Sequence, residues 1–278
     1  MNLICKLLDC FAFIICGVSN VNTSNAQDIK SPKEVEEFLT NLYSKPETIK
    51  NVAKAFSVSS DKEVVVIEHL KAVLSNPKLI KLMSQEFVSQ GILDKRMKQD
   101  KKSSTALGVA FGYQFITQLT VDGLKRLPDE RVLDYVNFTG RFFDLIEPKH
   151  CRALMGATSQ QKDEIDSSMA AIRNMNSKEM RIYFELNREA VNAELDDWPV
   201  APTLNDYETK TATAAFEKQF AEKLESHPSA SIIIIALTDP ANAKDQDFCV
   251  AGRFVVEVIA DLKGMSGDWF RRSFVLSL

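Results

Sequence analysis

Along most of the chain, apolar residues recur at spacings of three and four, and many of these stretches open on helix-start chemistry. Ser31-Pro32-Lys33-Glu34 combines an N-cap serine, a proline at the first helical position and a glutamate at the capping-box position. Ser44-Lys45-Pro46-Glu47 is a variant with the proline one place later. Ser60-Asp61-Lys62-Glu63 reads as a further capping box, and Asn76-Pro77 starts a fourth helix. Residues 32–93 are therefore expected to form four short helices, each with one buried face. Residues 94–104 are charged and polar and read as a linker.

Beyond the linker the pattern stays helical. Asp129-Glu130 opens a helix to about residue 146, Pro148 opens a short one ending at Gly156, and residues 160–174 are amphipathic. Ser177-Lys178-Glu179 is expected to cap a long helix to about Asp197. Trp198-Pro199 should stop it, with the tryptophan packed on the core. Residues 205–225 and 245–262 predict two more helices, the former turning Phe216, Phe220 and Leu224 inward. A short helix follows Ser266-Gly267-Asp268.

Two stretches are ambiguous by pattern. Residues 105–121 carry no charge, and Gly108 and Gly112 have the spacing of a membrane helix-dimer motif. Their length is marginal for a membrane span and they include five Thr or Gln residues. A central helix buried on most sides fits better. Ile232-Ile233-Ile234-Ile235 favours a strand by propensity. A lone strand would leave its backbone groups unpaired, so the run reads as a buried helix.

Composition agrees with helices. Ten Gly and nine Pro among 278 residues are few for the many tight turns of a sandwich or barrel. The formal net charge of −4 disfavours a nucleic-acid partner. The one basic run, Lys95-Arg96-Met97-Lys98-Gln99-Asp100-Lys101-Lys102, lacks interleaved aromatics and reads as a solvated helix end and linker. The resemblance between the segments beginning at Leu124 and Leu262 is too faint to make a repeat.

The first 26 residues have the pattern of a signal peptide: a single early lysine, an apolar run over Phe11-Ala12-Phe13-Ile14-Ile15-Cys16, and small residues at Ser24 and Ala26. Asp9 interrupts the run, so a buried N-terminal helix is the alternative, and lipidation at Cys16 is a third reading. Of five cysteines, Cys5, Cys10 and Cys16 fall in this segment, leaving Cys151 and Cys249 for the mature chain. In an oxidising compartment these two are expected to form a bridge, the alternative being two buried thiols.

Motifs for chemistry are sparse. His69, His150 and His227 show no ligand spacing, and phosphate-cradling or nucleophile-elbow motifs do not occur. His150-Cys151 as a nucleophile pair is disfavoured, because adjacent helical residues point about 100° apart. Glu185, Glu189 and Asp196-Asp197 lie on one long expected helix with Arg181 and Arg188, and Glu185 and Glu189, one turn apart, share a face. Such carboxylates could serve a hydrolase, or simply pair with the arginines. Trp269, Phe270, Arg271 and Arg272 form an aromatic, basic C-terminal stretch. They are candidate binding residues, with docking onto the protein's own core as the plainer reading.

The expectation is an all-α, irregular multi-helix bundle of about ten helices with one disulfide, Cys151–Cys249. It comprises a signal peptide (1–26), an N-terminal helical lobe (27–102) and a main helical domain (103–278), the last two being alternatively one domain. The functional expectation is a periplasmic or secreted, non-catalytic binding protein with no cofactor and no metal. Its partner would be a protein, and its role that of an inhibitor, an immunity factor or an export chaperone. Alternatives are a helical cell-envelope hydrolase using a carboxylate and a small-ligand or lipid carrier.

Overall fold

The computed structural model describes residues 31–91, 101–157 and 161–277, so the expected signal peptide and most of the expected linker lie outside the described residues. Within them are thirteen α-helices and no strand. They are α1 (Pro32–Tyr43), α2 (Pro46–Ala55), α3 (Ser60–Leu74), α4 (Pro77–Ser89), α5 (Lys101–Leu124), α6 (Asp129–Leu145) and α7 (Pro148–Leu154). There follow α8 (Gln161–Asn174), α9 (Ser177–Leu195), α10 (Asp206–Glu225), α11 (Ala230–Thr238), α12 (Asp245–Asp261) and α13 (Gly264–Leu276). Among the described residues, no helix is long and apolar enough to cross a membrane.

Local chemistry explains most helix starts. Ser31 and Glu34 form the reciprocal capping box of α1, Glu34 accepting from the Ser31 backbone at 2.9 Å. Asn76 accepts from the backbone N–H of Lys78 and Leu79, and Asn205 pairs with Glu208 in a second capping box. Two expected caps shift. The α3 helix includes Ser60, and its N-cap is Ser59, without a side-chain cap bond. The α9 cap is Asn176, whose Oδ1 accepts from Lys178 and Glu179 N–H at 3.0 and 2.9 Å, not Ser177. Asparagine at the N-cap satisfies the same orphan donors that serine would.

The described residues divide into two compact units. The N-terminal unit comprises residues 31–91, 101–119 and 176–188. Within it α1 packs on α4 and α2 on α3. Their inward stripes include Val52, Val66, Leu70, Leu79 and Met83, all fully buried. Phe184 on α9 meets Phe56 edge-on at 6.4 Å and stacks on His69 at 4.1 Å. Helix α5 buries Phe111, Gly112, Ile116, Thr117 and Leu119 and exposes Gln114 and Gln118, so over these residues it is enclosed on most sides, as expected.

The disulfide unit comprises residues 120–157, 161–175 and 189–277. Its hub is α12, which packs against α6, α7, α10, α11 and α13 and buries nine of its seventeen residues. Phe248, Ala251, Phe254, Val255, Val258 and Ile259 point in several directions around it, so burial encircles most of the helix. Cys151 of α7 is bonded to Cys249 of α12, with Cα atoms 5.0 Å apart, as the cysteine arithmetic predicts. Arg152 fastens the same junction. Its guanidinium donates to Asp245 Oδ1 at 2.8 Å, Pro240 O at 3.0 Å and Ala243 O at 2.6 Å, and lies 4.4 Å from the Phe248 ring centroid.

The isoleucine run is helical, as expected, but not buried throughout: α11 turns Ile233 and Ala236 onto the core and leaves Ile232, Ile234 and Ile235 exposed. One helix turn presents residues to every direction, and a helix packed mainly on one neighbour can bury only one stripe. Gly123 and Gly252 mark the tightest approaches. A Cβ at Gly123 would sit 1.8 Å from the Ala190 carbonyl oxygen, and one at Gly252 would sit 2.3 Å from the Phe143 ring.

Two outcomes follow from this packing. Replacing Cys151 and Cys249 together by alanine removes the constraint on a 98-residue separation. The chain-entropy model then predicts a loss of up to about 4–5 kcal/mol, read as a lower urea midpoint, with a slope equal to or steeper than the parent's because the unfolded chain expands. A midpoint within 0.2 M urea of the parent would contradict it. Gly123→Ala opposes backbone rather than a movable side chain and should cost roughly 1–3 kcal/mol or more, while Gly91→Ala tests only a positive φ of 60° with open space around it. Equal melting temperatures for Gly123→Ala and the parent would refute the close approach.

Candidate interaction surface

The charged face of α9 is engaged in pairing at the places tested by sequence. Glu189 accepts from Arg131 Nε at 2.7 Å, and that arginine also binds Asp134. The Glu189 hydrogen bond holds the Arg131 guanidinium above its usual range. Arg181 pairs with Glu68, Ser177 donates to Asp61, and Glu185 is exposed. Glu185 therefore faces solvent, and Glu189 is committed to Arg131. Among the described residues no group of three or more His, Cys, Asp or Glu side chains is placed to hold a metal ion.

His150 does not work with its neighbour Cys151, whose sulfur is in the bridge. Its Nδ1 lies 3.1 Å from Ser167 Oγ, and that hydroxyl donates to the Asp163 carbonyl at 2.6 Å. With the serine proton committed, the imidazole N–H is the donor to Ser167. Burial, reinforced by Lys149, lowers the His150 pKa. Ser167 is fully buried, so the pair cannot present a nucleophile to a substrate.

The C-terminal candidates separate into two kinds. Arg271 and Arg272 are buried. Arg271 donates to Ile259 O at 3.1 Å and Leu262 O at 3.0 Å, covering carbonyls at the end of α12, and to Asp268 at 2.6 Å. Arg272 donates to Lys125 O at 3.0 Å and Leu127 O at 2.7 Å in the turn after α5, and also binds Asp129. Both guanidiniums serve the fold. Phe270 stacks on Phe216 at 4.3 Å, and Trp269 meets Tyr207 edge-on at 6.5 Å, each half-buried.

The most exposed large apolar side chains among the described residues lie elsewhere. Trp198 is 69% exposed, Val200 74%, Tyr207 71% and Met265 71%. The expectation that Trp198 packs on the core is thus overturned. Helix α9 ends at Leu195, and residues 196–204 form a loop that carries the indole outward. Arg126 holds this loop by donating to Pro199 O at 3.2 Å and pairing with Asp197 at 2.6 Å and Glu194 at 2.7 Å. Arg272 ties α13 to the same turn, at Lys125 and Leu127. Loop 196–204 is thus fixed to the turn after α5 through Arg126, and α13 is fixed to that turn through Arg272; Met265 and Trp269 share one face of α13 at a spacing of four. The available sequence signal was the pair Pro199 and Pro202 around Val200, which marks an apolar residue held in a loop.

A buried histidine in the N-terminal unit has no access to ligand. His69 lies 2% exposed, stacked on Phe184, with Arg188 Nη1 3.5 Å from its Nδ1. Burial, and then the Arg188 charge, lower its pKa from 6.5 to about 3. The chain matches no family model, no curated protein and no solved structure.

The depressed pKa has a definite sign for stability. Above pH 6.5 His69 is neutral in both states and contributes no pH dependence. As pH falls from 6.5 towards 3, the unfolded chain takes a proton that the folded chain refuses, and stability drops by up to about 1.4 kcal/mol per pH unit. Replacing His69 with phenylalanine should reduce the stability lost between pH 7 and pH 5 by about 2 kcal/mol relative to the parent. Parallel stability–pH curves for the two proteins in urea titrations would contradict this assignment.

Proposed function

We propose that this chain is an exported, non-catalytic helical protein that binds a protein partner, as an inhibitor, an immunity factor or an export chaperone does. The observation that carries the reading is the set of large apolar side chains exposed on the disulfide unit, two of them on a loop that Arg126 tethers. Trp198, Val200 and Tyr207 are each more than two-thirds exposed, and Tyr207 meets the ring of Trp269. Exposed aromatic residues on a rigid frame are typical anchors of protein interfaces.

Export is supported by two independent features. Residues 1–26 have the charge and apolar pattern of a secretion signal. The Cys151–Cys249 bridge suits a compartment that keeps disulfides oxidised. The small residues at Ser24 and Ala26 place Gln27 at the start of the secreted form.

Tagged protein recovered from the exported fraction is expected to begin at Gln27 and to bring one protein partner in stoichiometric amount, identified by mass spectrometry. Intact Met1 on protein that stays in the cells, with none in the exported fraction, would overturn the export reading. A bait that recovers no protein above background, yet turns over cell-wall material, would replace the binding reading with the hydrolase.

A further inference from the structure

We infer that the Trp198–Tyr207 surface docks a basic, apolar polypeptide segment, with arginine or lysine side chains laid over the exposed rings. This names the chemistry of the partner and rests on the protein-binding reading above.

Charge supplies the argument for the occupant. Residues 194–208 contain Glu194, Asp196, Asp197, Asp206 and Glu208 and no lysine, arginine or histidine. Arg126 lies on Glu194 and Asp197, yet the Asp197 side chain remains 86% exposed. Along the chain, Asp196 and Asp197 precede Trp198, and Asp206 and Glu208 flank Tyr207, with Lys210 the next cation on α10. The two other arginines near this surface, Arg271 and Arg272, are buried against carbonyls and paired with Asp268 and Asp129.

An aromatic face next to carboxylates attracts a guanidinium twice: through the ring quadrupole, and through charge-assisted hydrogen bonds at its edge. Val200 and Met265 add apolar area that would seat the partner's aliphatic or aromatic residues. The same carboxylates repel an anionic bilayer, which separates this face from a membrane-docking surface of equal apolarity. The outer face of α11, with Ile232, Ile234 and Ile235, has no charged residue on its own helix and carries no comparable selectivity.

The test uses the full mature chain with its bridge intact and two labelled 16-residue amphipathic peptides. One carries arginine and leucine, and the other has every arginine replaced by glutamate. Fluorescence anisotropy should show the arginine peptide binding at least tenfold tighter than the glutamate peptide, and weakening several-fold as salt rises from low to moderate concentration. Trp198→Ala/Tyr207→Ala should lower arginine-peptide affinity at least tenfold while leaving the melting temperature near that of the parent, because both side chains are exposed. Asp196→Asn/Asp206→Asn should flatten the salt dependence.

Equal binding of the two peptides, full affinity in the aromatic double variant, or no binding of the arginine peptide would each overturn the inference. So would displacement of the peptide by neutral phosphatidylcholine vesicles, which would make the face a lipid-docking surface. The two proposals fail in different ways. If the aromatic variant still captures the natural partner at parental yield, this surface is wrong and the binding reading stands. If the parental bait captures nothing, the binding reading itself falls.

Discussion

Everything in the disulfide unit is arranged about one junction, the fastening of α7 to the start of α12. A seven-residue helix has too few turns to hold its place by its own hydrogen bonds. The Cys151–Cys249 bond supplies a covalent tie, and Arg152, one residue on, binds two carbonyls and a carboxylate leading into α12. A charge half-withdrawn from water is tolerated because its donors meet fixed acceptors and its plane lies against Phe248. With that end secured, α12 can be enclosed by five neighbouring helices.

Arginine plays this role repeatedly, and it explains how an aromatic surface stays outside. Arg271 and Arg272 satisfy the carbonyls at the ends of α12 and the turn after α5, positions where helix geometry leaves acceptors without partners. Arg126 does the same for the loop after α9. The bond to Pro199 O, with the Asp197 ion pair, positions the loop without using the side chains of Trp198 and Val200, which face solvent.

Helix positions were largely legible in the sequence because caps and apolar spacing act locally. Ser31, Asn76 and Asn205 announce their helices within four residues, and the cysteine arithmetic identifies the bridge once the first 26 residues are set aside. What failed depended on distant partners. Trp198 was expected inside because tryptophan usually is, and only the Arg126 tether, from some seventy residues earlier, turns its loop outward. For Arg271 and Arg272 the plainer expectation, docking onto the protein's own core, agrees with their burial, but their acceptors in α12 and after α5 could not be named from the local pattern. The isoleucine run was correctly helical, but its burial depended on how many neighbours α11 has, which a local pattern does not encode. The candidate site was therefore the least legible part: only Trp269 of the four C-terminal residues lies against the exposed cluster.

The central claim is that α12, fastened through α7, is the most stable element of its unit. Native-state hydrogen exchange, resolved by residue, tests it directly. The account predicts the slowest amides of residues 189–277 within Phe248 to Ile259, exchanging only with global unfolding in the oxidised protein, and a large loss of that protection once the bridge is absent. Amides of α12 that exchange as fast as those of the exposed helix α11, or that keep full protection without the bridge, would contradict it.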